Sequence, residues 1–262
     1  MSTSVFITSL PVWALFLLVL LVALGAYELG FRLGRLLIKR GRREPEPAVT
    51  ALVGALLGLL AFLLAFTFAM SASRFDARRE LVIEDANRIR TAYQYLNLLP
   101  EKQAQELRKL FPEYVTLRLH IITPQDAQNR VQRADEIHRL MWQQASSLIH
   151  ENMDSELRSM FINSLTEMMN VYVMRKTVAL TYHIPGSIWV VLHLLSVLSM
   201  LSMGYQTGMF SPHRLVGMPV LAAAFALVLT LIAAMDTLGQ RRFSISQQPL
   251  EQVLALMQRN KP

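Results

Sequence analysis

Apolar and polar positions divide the chain into four long apolar runs, with one long polar segment between the second run and the third. The runs cover residues 5–27, 48–73, 184–210 and 215–235, which contain no Asp, Glu, Lys or Arg, and His193 in the third run is their one His. A helix crosses a hydrocarbon layer of about 30 Å with roughly 20 apolar residues. All four runs are therefore predicted to be transmembrane helices.

The first run differs from a secretory signal peptide in two respects. Residues 1–10 contain no Lys or Arg, and the apolar core is longer than the usual signal core of about 7–15 residues. A retained first span is therefore predicted, rather than a cleaved leader.

The polar segment, residues 74–183, contains 15 Lys+Arg and 14 Asp+Glu, and it lies in a stretch without Gly from Leu59 to Pro185. Strands joined by tight turns normally need Gly for positive φ, so long helices are expected. The helices are predicted at 74–98, 101–122, 124–150 and 154–181, and residues 236–262 are predicted as a C-terminal tail. The predicted fold is an all-α membrane protein with four transmembrane helices and a helical extramembrane domain between spans two and three.

The second span is predicted to continue as a helix beyond the lipid. Between Ala48 and Leu99 only Gly54 and Gly58 weaken a helix, and membrane helices tolerate Gly. About 50 residues rising 1.5 Å each would form a rod on the order of 75 Å. Three arginines, Arg74, Arg78 and Arg79, lie where this helix leaves the apolar zone. They either attract anions at a pore mouth or extend to lipid phosphates, and the sequence leaves both open.

Span two also contains an apolar stripe, with Phe62 and Phe66 at i, i+4 and Met70 next. Such a stripe is usually a packing face between helices. In an oligomer with this helix at its axis, the same side chains would instead form an apolar ring that gates by dewetting.

Small residues predict close helix packing at two places. Gly30-x-x-x-Gly34 lies at the end of span one, and Gly54-x-x-x-Gly58 lies in span two. Spacings of this kind allow two helix backbones to approach each other. Gly30, Gly34 and Gly54 are therefore predicted packing positions.

Composition supports a membrane protein and excludes several kinds of chemistry. The chain is 53% hydrophobic and 17% charged, against about 25% charged in an average soluble domain. It contains no Cys, which excludes disulfides, thiolate zinc sites and a cysteine nucleophile. The net charge of +7 is concentrated beside the apolar runs, so membrane lipids rather than nucleic acid are the predicted partner.

Enzyme chemistry finds little support in the sequence. The six His residues form no ligand pattern, and His150-Glu151-x-x-Asp154 lacks the second His of a zinc protease motif. His193 is either a functional group inside the membrane or a neutral imidazole hydrogen-bonded to another helix. We predict no catalytic residue, no metal site and no cofactor.

Several stretches resemble a known family. Leu64–Leu81 looks like the bestrophin stretch in which an apolar helix runs into an Arg-Trp-Trp-Glu-like sequence. Arg88–Leu99, His183-Ile184-Pro185, Asp236 and Ser244–Leu250 are similar to the bacterial bestrophin-like family of multi-pass membrane proteins, remote relatives of bestrophin anion channels. The resemblance covers most of residues 48–255.

The resemblance implies a pentameric anion channel in the bacterial plasma (inner) membrane. Bestrophins have a neck lined by apolar side chains four residues apart on span two. Counted back from Arg74, those positions are Gly58, Phe62 and Phe66, with Met70 next on the stripe; Gly58 departs from the bulky pattern. The tail also departs from the family, because Asp236-Thr237-Leu238-Gly239 lacks the pattern Asp-x-Asp-Arg-Pro. The only acid after Leu238 is Glu251, so the sequence has no counterpart of the calcium-binding acidic cluster of animal bestrophins.

The sequence leaves two questions open. The resemblance implies a cytoplasmic 74–183 domain, whereas the basic loop after span one predicts, by the positive-inside rule, that this domain lies outside. The basic residues of that loop are Arg32, Arg35, Lys39, Arg40, Arg42 and Arg43. The favoured function is an oligomeric anion channel, and the alternative is a non-conducting scaffold or sensor that binds a partner through residues 74–183.

Overall fold

The computed structural model describes residues 11–42, 44–119, 124–151, 153–181, 184–211, 213–236 and 245–259, with backbone only at 124–127 and 179–181. Within these ranges the chain forms eight α-helices and no strand. The helices are α1 (Val12–Lys39), α2 (Glu46–Tyr95), α3 (Glu101–Leu119), α4 (Pro124–Ser147), α5 (Ser155–Thr181), α6 (Gly186–Phe210), α7 (Met218–Asp236) and α8 (Gln248–Arg259). The start of the predicted first span, Arg43, and the motif residues His183, 237–239 and Ser244 lie outside the described residues.

The predicted all-α membrane fold is confirmed. Four of the described helices, α1, α2, α6 and α7, are long and apolar enough to cross a membrane. The chain divides into two compact units. The membrane unit comprises Met1–Phe75 and His183–Ser244, and the helical unit comprises Asp76–Tyr182 and Ile245–Pro262.

In the membrane unit, α1 and α6 pack with their backbones in contact. A Cβ atom added at Gly30 would lie 1.9 Å from the Leu201 carbonyl oxygen, and one at Gly34 would lie 2.4 Å from that of Tyr205. From Gly30 to Gly34 the partner residue changes from Leu201 to Tyr205, so the residue numbers rise together along both helices. The helices α1 and α6 therefore run in the same direction. Glycine has no side chain that would hold the two helices apart, so their backbones can come into contact.

Helix α6 contributes glycines to the same contact. A Cβ atom at Gly204 would lie 2.0 Å from the Tyr27 carbonyl oxygen, and one at Gly208 would lie 2.2 Å from that of Phe31. Glycines from both helices therefore set the distance between α1 and α6.

Helix α1 continues to Lys39, whereas the predicted span ends at residue 27. No Pro occurs between Tyr27 and Lys39, and Glu28 pairs with Arg32 one turn later at 2.9 Å. The end of the apolar run marks where the chain leaves the hydrocarbon, but it does not interrupt the helical hydrogen bonds.

The helical unit has its own apolar core, built from the second half of α2 together with α3, α4, α5 and α8. Fully buried side chains come from every one of these helices, including Ile89, Phe111, Ile137, Phe161 and Leu250. Asp154 caps α5 through a 2.7 Å hydrogen bond from the Glu156 N–H, as expected for an acidic residue before a helix start.

Helix α8 was not predicted, since residues 236–262 were assigned only as a tail. Leu250, Val253 and Met257 are buried in the core of the helical unit. Their spacing of three and four residues is the periodicity of a helix with one apolar face. A single 12-residue helix without a long apolar run gives a weak signal beside four membrane spans.

Candidate pore-lining helix

Helix α2 has two different faces within the membrane unit. One face packs into the bundle, where Leu60 and Leu64 join a core with side chains of α1, α6 and α7. On the same face, the Ser71 hydroxyl donates to the Ile232 carbonyl of α7 at 3.2 Å. The other face holds Phe62 and Phe66, which are 67% and 59% exposed. Each Phe is two residues from Leu64 along the chain, and a step of two residues is a rotation of about 200° around the helix axis.

This outward face of α2 also holds the exposed Leu52 and Leu59 and a number of small residues. The small residues include Ala51, Ala55, Gly58, Ala69 and Ser73. No described atom lies within 4 Å of a Cβ built at Gly54 or Gly58, so neither glycine packs against another helix of the same chain. The packing role predicted for Gly54 therefore remains a prediction, whereas Gly30 and Gly34 face the backbone of α6.

Met70 and Arg74 follow the two phenyl rings on the membrane unit's part of α2. Both side chains are half-buried, and the Arg74 guanidinium donates to the Met70 sulfur at 3.6 Å. In the helical unit, Arg78 is buried and Arg79 is exposed. The three arginines predicted at the end of span two therefore differ in their exposure to solvent.

His193 makes its hydrogen bond within its own helix. Its Nδ1 atom lies 2.8 Å from the Trp189 carbonyl oxygen, one turn earlier on α6. The expectation of a bond to another helix was wrong, because the ring reaches back to a nearby carbonyl on the same helix.

The helical unit contains a buried charged group that the sequence did not reveal, the Asp85 cluster, made of Asp85, Arg118 and Arg175. Asp85 is fully buried. Its Oδ2 atom accepts a 2.8 Å bond from Arg118 Nε and a further bond from Arg175. Arg175 also donates to the Gln247 side chain at 3.4 Å, which ties the segment before α8 to this cluster.

Aromatic rings enclose the Asp85 cluster. The Arg118 guanidinium lies 4.8 Å from the Tyr172 ring centre and 5.5 Å from that of Tyr114. The His138 ring lies 4.7 Å from Tyr172 and 5.0 Å from Tyr114. Burial raises the pKa of Tyr114, while burial and the nearby Arg118 charge lower the pKa of His138 to about 4. A cation is unfavourable at His138 because the ring is buried and lies near the Arg118 guanidinium.

One sequence signal pointed to this cluster. Asp85 lies three residues after Val82 and four before Ile89, two apolar residues that are buried on the same face of α2. A carboxylate at a core position of a helix needs cationic partners. Which arginines supply them is determined by the packing of α3 and α5 on α2, which spacing along the sequence does not encode.

Protonation of His138 is expected to destabilise the helical unit at acidic pH. The folded pKa of about 4 lies below the ordinary value of 6.5, so the unfolded chain binds more protons between these values. His138 therefore contributes stability above pH 6.5 that is lost as the pH falls towards 4, with an upper bound of about 3 kcal/mol. Thermal unfolding of wild type and His138→Gln at pH 7.5 and pH 5 tests this. Wild type should lose more stability than the variant, and equal losses would show that protonation of His138 does not destabilise the fold.

Solved structures with the same fold include bacterial bestrophin homologues. A point variant of the homologue from Klebsiella pneumoniae has a TM-score of 0.69 at 17% identity, over 94% of this chain and 97% of that one. A second variant of it has a TM-score of 0.67 at 17% identity, over 95% and 97%. A further structure, described as a membrane protein, has a TM-score of 0.62 at 18% identity, over 95% and 96%.

A search of curated protein sequences found no match. The family model of the bestrophin-like domain matches residues 17–250. This range includes α1 from residue 17, the whole of α2, α6 and α7, and the helical unit as far as the start of α8. The match extends over most of the chain, in agreement with the resemblance drawn from the residues of spans two and three. The chain is therefore a member of the bestrophin-like domain family.

Proposed function

We propose that this protein is an oligomeric anion channel of the bacterial plasma membrane, with α2 lining the pore. The observation that carries the proposal is the outward face of α2, where Phe62 and Phe66 are exposed opposite the side that packs into the bundle. Membership in the bestrophin-like family and its channel-type fold support the same function. The likeness to bestrophins favours a pentamer.

The chemistry of this face suits a gated pore. With α2 at the axis of a ring of copies, Phe62 and Phe66 form two apolar layers one helical turn apart, and Gly58 leaves a wider place one turn before them. A narrow apolar constriction closes by losing its water and conducts when it widens. Of the three arginines that follow along α2, Arg74 and Arg79 reach solvent and raise the local concentration of anions by their positive potential, whereas Arg78 is buried.

Replacing Phe66 with alanine is expected to increase chloride flux, because a smaller side chain widens the apolar ring and admits water. Purified protein is reconstituted into liposomes loaded with chloride, and efflux is measured at one protein-to-lipid ratio. The matched control is Phe68→Ala, which removes the same side chain two residues away, about 200° around the helix. The control should conduct like wild type.

Two results would count against a pore along α2. One is an equal increase in flux for Phe66→Ala and Phe68→Ala, since loosened packing rather than a widened ring would then explain both. The other is the absence of flux from folded wild-type oligomers, which would favour the scaffold that binds a partner through the helical unit.

A further inference from the structure

An exposed seam runs along α2 within the membrane unit. Its members follow one another at alternating spacings of three and four residues, a pattern that keeps side chains on one side of a helix. The members of this α2 seam, all of them exposed, are Leu52, Ala55, Leu59, Phe62, Phe66, Ala69 and Ser73. Since Ser73 is its one polar member, the seam changes from apolar to polar at a single residue.

Ser73 and Arg74 are neighbours along the chain, but they lie on different sides of α2. Ser73 is seven residues after Phe66, about 20° short of two full turns, so it lies in line with that phenyl ring. Arg74 is eight residues after Phe66 and lies about 80° away around the helix axis. The Arg74 guanidinium is half-buried and donates to the Met70 sulfur at 3.6 Å. Ser73 therefore provides the first polar side chain on the line that the phenyl rings define.

The Ser73 hydroxyl also differs in hydrogen bonding from the two hydroxyls that precede it on α2. The Thr67 hydroxyl donates to the Leu63 carbonyl at 2.7 Å. The Ser71 hydroxyl donates to the Ile232 carbonyl at 3.2 Å. Within the part of the chain that the structure describes, the Ser73 hydroxyl has no hydrogen-bond partner. Its one donor and two acceptor positions are therefore available to solvent or to an ion.

We propose that Ser73 determines which anions the pore prefers, by donating a hydrogen bond to the permeating anion. This inference rests on the proposed function, because it needs α2 at the axis of a ring of copies. An ion gives up part of its hydration shell before it enters an apolar constriction, and polar groups at that point replace the lost water. In such a ring each copy places one hydroxyl about 10 Å along the helix axis from the Phe66 layer.

Hydroxyl donors at this place favour small, strongly hydrated anions. Chloride attracts a hydrogen-bond donor more strongly than iodide does, because its charge lies closer to the donor. Loss of the hydroxyls therefore costs chloride more than iodide. A seam without Ser73 would select anions only by the ease with which they lose water, which favours iodide.

The test measures the permeability of chloride relative to iodide, from the reversal potential of the full-length protein in planar lipid bilayers with one halide on each side. Ser73→Ala should lower this ratio by about fivefold, the factor given by about 1 kcal/mol for the net worth of one hydrogen bond. Ser73→Thr keeps the hydroxyl and should retain the wild-type ratio. The matched control is Ser187→Ala, which removes the same group from an exposed position on α6.

A lower ratio in Ser73→Ala, with Ser73→Thr and Ser187→Ala like wild type, supports the role of Ser73. A wild-type ratio in Ser73→Ala, or an equally lowered ratio in Ser73→Thr or Ser187→Ala, overturns it. In those cases an increased chloride flux in Phe66→Ala would still support a pore along α2, so failure of this inference is distinguishable from failure of the proposed function. The absence of any halide current from wild type overturns both.

Discussion

Replacing Gly204 with alanine is expected to prevent normal packing of the membrane unit. The new Cβ atom would lie 2.0 Å from the Tyr27 carbonyl oxygen and 2.9 Å from the Phe31 nitrogen. These are backbone atoms of α1, so relief requires the two helices to separate. Overpacking of a core costs about 1–3 kcal/mol and occasionally more, and a backbone clash belongs at the upper end. Thermal unfolding in detergent and the yield of monodisperse protein measure the effect.

The matched control for this substitution is Gly25→Ala on α1. No described atom lies within 4 Å of a Cβ built at Gly25, so alanine there meets open space. Alanine also favours a helix over glycine by up to about 1 kcal/mol, and the control should unfold at or above the wild-type temperature. Wild-type stability in Gly204→Ala would show that α1 and α6 are further apart than the structure has them.

Replacing Asp85 with asparagine is expected to destabilise the helical unit by about 3–5 kcal/mol. This is the usual cost of removing one partner from a buried ion pair, because the remaining charge is left without compensation. Here two guanidinium groups, those of Arg118 and Arg175, would lose their shared carboxylate. Asparagine keeps the shape of the side chain, so the effect reports on charge rather than on a cavity. Thermal unfolding of the full-length protein, followed by circular dichroism, gives the measurement.

Asp76→Asn is the control on the same helix. Asp76 is exposed on α2, and a change of charge there should alter stability by less than about 0.5 kcal/mol. If Asp85→Asn unfolds at the wild-type temperature, the Asp85 cluster does not stabilise the fold. Any role of its charges would then have to be sought in function.

The sequence predicted the parts of the fold that depend on long, strong patterns. Four charge-free or nearly charge-free runs identified the spanning helices, and the absence of Gly between Leu59 and Pro185 identified a helical domain. Helix ends were harder to predict. Hydropathy placed the end of span one near residue 27, although the helical hydrogen bonds continue to Lys39. Helix α8 was missed because its burial depends on a partner helix distant in the sequence.

The candidate site was predictable only in part, and the reason is physical. The i, i+4 spacing of Phe62 and Phe66 shows that they share a face, but only the packing of Leu60 and Leu64 shows that this face points away from the bundle. The two arginines on Asp85 come from positions 33 and 90 residues away along the chain. Pairings of that kind follow from tertiary packing and leave no local pattern in the sequence.

The most direct test of a pore along α2 is the symmetry of the purified particles in nanodiscs, imaged by electron cryo-microscopy. We expect a closed ring of copies with α2 nearest the axis and the phenyl rings of Phe62 and Phe66 facing it. A monomer, or a dimer in which these phenyl rings face lipid, would show that α2 does not line a pore.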